Sequence, residues 1–224
     1  MSAESTGADP YLRQREQMVA KQIETRGITN PLVLNAMRQT PRHAFVTQDM
    51  LDMAYADRPL PIGHDQTISQ PYIVAFMTQA LRLGGAGEKV LEVGTGLGYQ
   101  AAVLSHIADR VFTIERVPEL AEKAQQLLQS LEYGNIEVRC GDGTAGWPEK
   151  APFDGIMATA SGPEVPEPWK EQLKVGGRIV MPVGAYRFGQ HIVRLTKGTG
   201  NHFQEERLLD VAFVPLLGKF GWDK

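Results

Sequence analysis

The sequence predicts an α/β fold: a doubly wound, mostly parallel sheet with an antiparallel C-terminal edge and an N-terminal helical preface. Three observations carry that prediction. The run Val90-Leu91-Glu92-Val93 is short, apolar and β-branched, as a strand buried on both faces should be, and Gly94, Gly96 and Gly98 turn it directly into a helix over 99–107. A second apolar strand, 111–115, follows and ends on Glu115. Strands and helices then alternate until two consecutive strands, 190–196 and 208–214, close the series with no helix between them.

In chain order, residues 1–10 predict a disordered tail and residues 11–224 one domain, with 11–83 as the preface and 84–224 as the sheet. Residues 11–26 read as a helix with Leu12, Val19 and Ile23 on one side, stopped by Gly27. Asn30 caps the next helix and Pro31 suits its first turn; Val33, Ala36 and Met37 follow, and it ends before Pro41. A short helix through Met50, Leu51, Ala54 and Tyr55 comes next. Pro59, Pro61 and Gly63 hold residues 57–70 out of regular structure. Pro71 starts a helix over 72–83 that buries Ile73, Val74, Phe76, Met77 and Leu81. Further strands are expected over 136–140, 153–159 and 178–183, and helices over 118–131 and 168–173. Cys140, at a strand end, reads as a buried structural thiol.

The bulk numbers narrow the function. A net charge of -3 without a Lys/Arg run gives no reason to expect nucleic acid, and no apolar run is long enough to span a membrane. The single cysteine suits a reducing compartment, so a cytoplasmic protein is the expectation, and a monomer is expected beside it. His43, His64, His106, His191 and His202 show no paired spacing, so no metal is expected. Ser69 is not in a G-x-S-x-G turn, which argues against a hydrolase nucleophile.

The positive signals are local. The glycines are spaced G-x-G-x-G, one place short of the dinucleotide fingerprint G-x-G-x-x-G. Glu115 is either a solvated strand-end charge or an acceptor for the paired hydroxyls of a ribose, and Asp142 offers a polar group after the third strand. Thr67 and Ser69 lie just before a helix N-terminus, where free N–H groups favour an anion. Ser69 either merely caps that helix or helps to hold such an anion.

With these residues in place the sequence resembles the protein-L-isoaspartate O-methyltransferases over about residues 18–222. The resemblance runs through Leu60-Pro61-Ile62-Gly63, Gln66-Thr67-Ile68-Ser69-Gln70-Pro71, the glycine loop, Gly141-Asp142-Gly143, Ala151-Pro152-Phe153-Asp154, Gly176-Gly177-Arg178, Pro182-Val183-Gly184 and Phe213-Val214-Pro215-Leu216. It departs at Asp65, where bacterial members often carry glycine. Asp65 either alters the acceptor pocket or simply takes a turn conformation.

The resemblance implies a Rossmann-like class I methyltransferase fold. It implies transfer of a methyl group from S-adenosyl-L-methionine to the free α-carboxylate of L-isoaspartyl residues in damaged proteins and peptides, which starts their repair. It also assigns Ser69 to orienting the acceptor. Gln66, Thr67, Ile68, Ser69, Glu92, Gly94, Thr95, Gly96, Gly98, Glu115, Asp142 and Gly143 fall on the cofactor side, and Ser69, Pro182, Val183 and Val214 near the peptide. A methyltransferase for a small-molecule acceptor is the alternative, since its cofactor half would look the same.

Overall fold

The computed structural model describes residues 9–186, 188–200 and 202–223; most of the expected tail therefore lies outside the described residues. Of its last members, Asp9 is engaged: its carboxylate pairs with Arg15 at 2.7 Å. The first helix begins as α1 (Leu12–Met18), loosens into a π-turn over Val19–Ile23 and tightens into a 3₁₀ turn, Glu24–Arg26. Gly27 ends it at φ 88°. Asn30 caps α2 (Pro31–Gln39) by accepting from the Leu32 N–H, as its sequence predicts. The expected helix near residue 50 is a 3₁₀ segment, Gln48–Met53.

The segment read as irregular holds a hairpin. β1 (Leu60–Gly63) pairs antiparallel with β2 (Gln66–Ile68), Gly63 facing Gln66 across a two-residue turn. His64 and Asp65 both take left-handed φ values, 53° and 56°, which match the right-handed twist of the ribbon. Pro61 is tolerated because a two-stranded ribbon is all edge. Asp65 thus adopts the turn conformation in which glycine is easiest. α3 (Pro71–Leu81) follows and is closed by Arg82 in the left-handed region.

The main sheet is assembled from β3 (Lys89–Val93), β4 (Arg110–Glu115), β5 (Ile136–Cys140), β6 (Phe153–Ala158), β7 (Leu173–Ala185), β8 (Phe188–Lys197) and β9 (Phe203–Val211). Their order is β5-β4-β3-β6-β7-β8-β9; the first five are parallel, and β7, β8 and β9 pair antiparallel. Successive strands run outward from β3 in both directions, so a crevice opens at its carboxyl end. α4 (Tyr99–Ser105) and α5 (Pro118–Ser130) return the chain between parallel strands, and α6 (Glu167–Glu171) precedes β7. One apolar cluster joins α3, α4 and the preface to one face of the sheet; another, around Phe112, Phe153 and Trp169, fills the opposite face.

Two expectations need correction. β9 begins five residues earlier than predicted and ends three earlier, because an edge strand can carry the polar run Gln204-Glu205-Glu206-Arg207. Cys140 is exposed, since β5 is the other edge and its last two residues face solvent. Among the described residues no helix is long and apolar enough to cross a membrane.

Candidate active site

A cavity of about 1020 Å³ opens at the carboxyl ends of β3, β4 and β6. Gly94 and Gly96 form its floor with Val93. Ile114, Glu115, Val117 and Gly143 line one wall, Gln66, Thr67, Ser69, Gln70 and Ile73 the facing one, and residues 210–217 close the rim. Of the residues named from sequence, Gln66, Thr67, Ser69, Gly94, Gly96, Glu115, Gly143 and Val214 therefore meet on one cavity. Asp65 and His64 line it too.

Glu115 is 6 % exposed and anchors the site. Its Oε2 accepts from the Gly96 N–H at 2.8 Å, and its Oε1 accepts from the N–H groups of Arg116 and Val117 at 2.8 and 2.9 Å. The carboxylate at the end of β4 is thereby fixed to the glycine loop between β3 and α4. Each oxygen keeps capacity for a further donor.

Gly94 and Gly98 are required by their protein neighbours as well as by the turn. Gly94 has φ 97°, and a Cβ there would come within 2.3 Å of the Thr159 hydroxyl oxygen; that hydroxyl donates to the Gly94 carbonyl at 2.6 Å. At Gly98, also at φ 97°, a Cβ would press on Leu128. Both make room for protein atoms as well as bending the loop. Thr159 itself lines the cavity and was missed, although its position after β6 is where the crevice of such a sheet must lie.

Several assigned residues sit behind the wall. Ile68 and Thr95 border a small adjoining cavity of about 30 Å³ under the loop. Glu92 is fully buried below the glycine loop. The Thr113 hydroxyl donates to its Oε2 at 2.5 Å, the Thr95 hydroxyl lies 2.6 Å from that of Thr113, and Oε1 has no partner among the described residues. Burial pushes the Glu92 carboxyl up to about 8; the Thr113 hydrogen bond opposes the rise and the Glu115 charge adds to it. Glu92 is accordingly neutral at pH 7.

Asp142 is not among the residues facing the cavity. Its Oδ1 caps the turn Gly143–Ala145 by accepting from the Thr144 N–H and hydroxyl, and its Oδ2 accepts from the Lys219 N–H at 2.8 Å. Partial burial raises its pKa, but these hydrogen bonds outweigh it and hold the carboxyl below the usual range. Pro182 and Val183 lie within β7, where Val183 bridges to Gly162, and neither is among the residues lining the cavity.

The family model of the protein-L-isoaspartate(D-aspartate) O-methyltransferases matches residues 13–221. The chain belongs to this family. A protein-L-isoaspartate O-methyltransferase 1 of Rhodopseudomonas palustris strain HaA2 is 56% identical, covering 97% of this chain and 89% of the relative. A solved protein-L-isoaspartate O-methyltransferase superposes with a TM-score of 0.83 at 30% identity, over 92% of this chain and 67% of that one. A Plasmodium falciparum structure described as a family member in complex with S-adenosyl-L-homocysteine superposes at 0.78 with 24% identity, over 91% and 98% of the two chains.

The cofactor of a protein-L-isoaspartate O-methyltransferase is S-adenosyl-L-methionine, and the residues present fit it. The volume is sufficient, a fixed carboxylate faces the crevice for a diol, and Ile114, Val117 and Gly143 make a wall suited to a flat ring.

Proposed function

We propose that the cavity is where this chain transfers the methyl group of S-adenosyl-L-methionine to the free α-carboxylate of L-isoaspartyl residues in proteins and peptides, with Ser69 orienting the acceptor. One observation carries the assignment: Thr67 and Ser69, on the strand end leading into α3, face the glycine loop and Glu115 across a single cavity. We assign Glu115 to the ribose hydroxyls, the glycine loop and Gly143 to the walls around the adenosyl group, and Thr67 to its methionine end. Val214, at the rim, borders the peptide.

The chemistry asks little of acid–base groups. An α-carboxylic acid has a reference pKa of about 3.3–3.7, so the acceptor arrives as an anionic nucleophile. The bound cofactor supplies the electrophilic methyl and its own sulfonium leaving group. The chain's part is to align the carboxylate with that methyl and to exclude water. A neutral Glu92 fits this role, because it supports the loop without adding a second carboxylate charge beside Glu115. The lone cysteine, free and exposed, is consistent with action in the reducing cytoplasm.

The deciding experiment is methyl transfer to an isoaspartyl peptide against its aspartyl twin. A methylene alone gives discrimination of roughly 10–200-fold, and a site built around the extra carboxylate should exceed it. Comparable turnover of the two peptides would reject this reading in favour of a small-molecule acceptor.

A further inference from the structure

Gln70 lines the cavity between Ser69 and α3. It occupies the N-cap position of α3, yet its side chain makes no capping hydrogen bond. Its amide points away. Nε2 donates to Oδ1 of Asp57 at 2.7 Å and to the Asp57 carbonyl oxygen at 3.1 Å. The other carboxylate oxygen of Asp57 pairs with Arg26 at 3.0 Å, and the Arg26 guanidinium lies 3.6 Å from the ring centroid of Tyr72, the second residue of α3. Three remote stretches of chain, at residues 26, 57 and 70, thus converge beside Ser69.

The Arg26 and Asp57 side chains are open to solvent, and ion pairs of that kind contribute little to stability. What the contacts fix is direction. Released from Asp57, the Gln70 amide has two destinations within its own reach: the uncapped first turn of α3 or the acceptor end of the cavity. Either places a competing polar group where an acceptor carboxylate must bind. Arg26, meanwhile, offsets the Asp57 charge that would otherwise repel such an anion.

We infer that Asp57 is a positioning residue for the acceptor, holding the Gln70 amide out of the acceptor end of the cavity while Arg26 neutralises it. The inference rests on the acceptor site proposed above.

The test is steady-state kinetics with an isoaspartyl peptide, together with calorimetry of S-adenosylhomocysteine binding. Asp57→Ala should lower kcat/KM for the peptide by about tenfold or more, since misplacement by about an ångström costs up to about 100-fold. S-adenosylhomocysteine affinity should stay within about twofold. Asp57→Asn keeps an oxygen for Nε2 and should retain most of the rate. The double variant Asp57→Ala/Gln70→Ala has no amide to misplace and should recover activity relative to Asp57→Ala, which a merely structural role for Asp57 would not produce. An unaffected Asp57→Ala, a double variant no better than the single, or a parallel loss of cofactor affinity would overturn the inference. A parent chain that fails to discriminate isoaspartyl from aspartyl peptide would instead overturn the reading of the site on which it stands.

Discussion

On the cofactor side of the cavity Glu115 is buried and its carboxylate is held by three backbone N–H groups, whereas on the acceptor side Asp57 is exposed and its carboxylate is shared between two side chains, Gln70 and Arg26. The first wall is main chain pinned to a packed sheet. The second is a hairpin and a helix start, oriented by surface contacts. Substitutions in the first should therefore disturb loop shape, cofactor affinity and stability together. Those in the second should change the rate with little effect on either.

The sharpest separation comes from Glu115→Ala. It removes a buried charged acceptor from three N–H groups, each worth about 1.5–3 kcal/mol in such pairings. S-adenosylhomocysteine binding should weaken far more than tenfold by calorimetry, and the thermal midpoint should fall as well. Unchanged affinity would take Glu115 out of the site. Ser69→Ala should do the reverse, lowering kcat for an isoaspartyl peptide by about tenfold or more while affinity for S-adenosylhomocysteine holds, because it disturbs the line of attack. Parallel losses in both would erase the contrast between the walls.

Glu92 tests the buried wall by pH. The folded chain keeps the proton on Glu92 up to about pH 8, the unfolded chain only to about 4.5, so stability falls as pH rises through that window. Glu92→Gln should remove this slope, and denaturant titrations should show the variant gaining on the parent between about pH 5 and pH 8. A constant difference across the window would mean the carboxyl titrates normally. The smallest effect belongs to the acceptor hairpin. Asp65 already sits at φ 56°, so Asp65→Gly should stay within about ±0.5 kcal/mol in stability and about twofold in rate, as surface changes do. A large gain in peptide affinity would show that the Asp65 charge faces the acceptor.

The same division governs what the sequence made legible. β3 and β4 are recognisable almost to the residue because strands buried between helices are apolar runs bounded by turn residues. Glu115 is legible for a related reason, as the polar residue that ends such a run. The β1–β2 hairpin is not, since strands of four and three residues show too little alternation and its turn depends on positive φ at two non-glycine residues. Asp142 shows both levels at once. Its cap on Thr144 is local and readable in Asp142-Gly143-Thr144, whereas Lys219, 77 residues on, cannot be inferred from spacing. The Asp57–Gln70 contact escapes for the same reason: surface side chains converge through tertiary placement, with no periodicity to announce them.

The Lys219 contact also bears on the order in which the site comes into being. Gly218 and Gly221 allow the turn they belong to to seat against Asp142 and Thr144, where a Cβ at Gly218 would meet Asp142 Oδ1 at 2.2 Å, and Trp222 Nε1 donates to the Ser161 carbonyl. Leu216 and Leu217, on the same stretch, line the cavity. Residues 216–222 leave the ribosome after every strand of the sheet. A nascent chain can thus assemble β3, the glycine loop and Glu115 while its rim is still incomplete, and the rim is finished only when that last turn docks 61 to 77 residues back along the chain. Competence to hold the cofactor is in this sense a late event of synthesis, written by contacts of high sequence separation that form slowly.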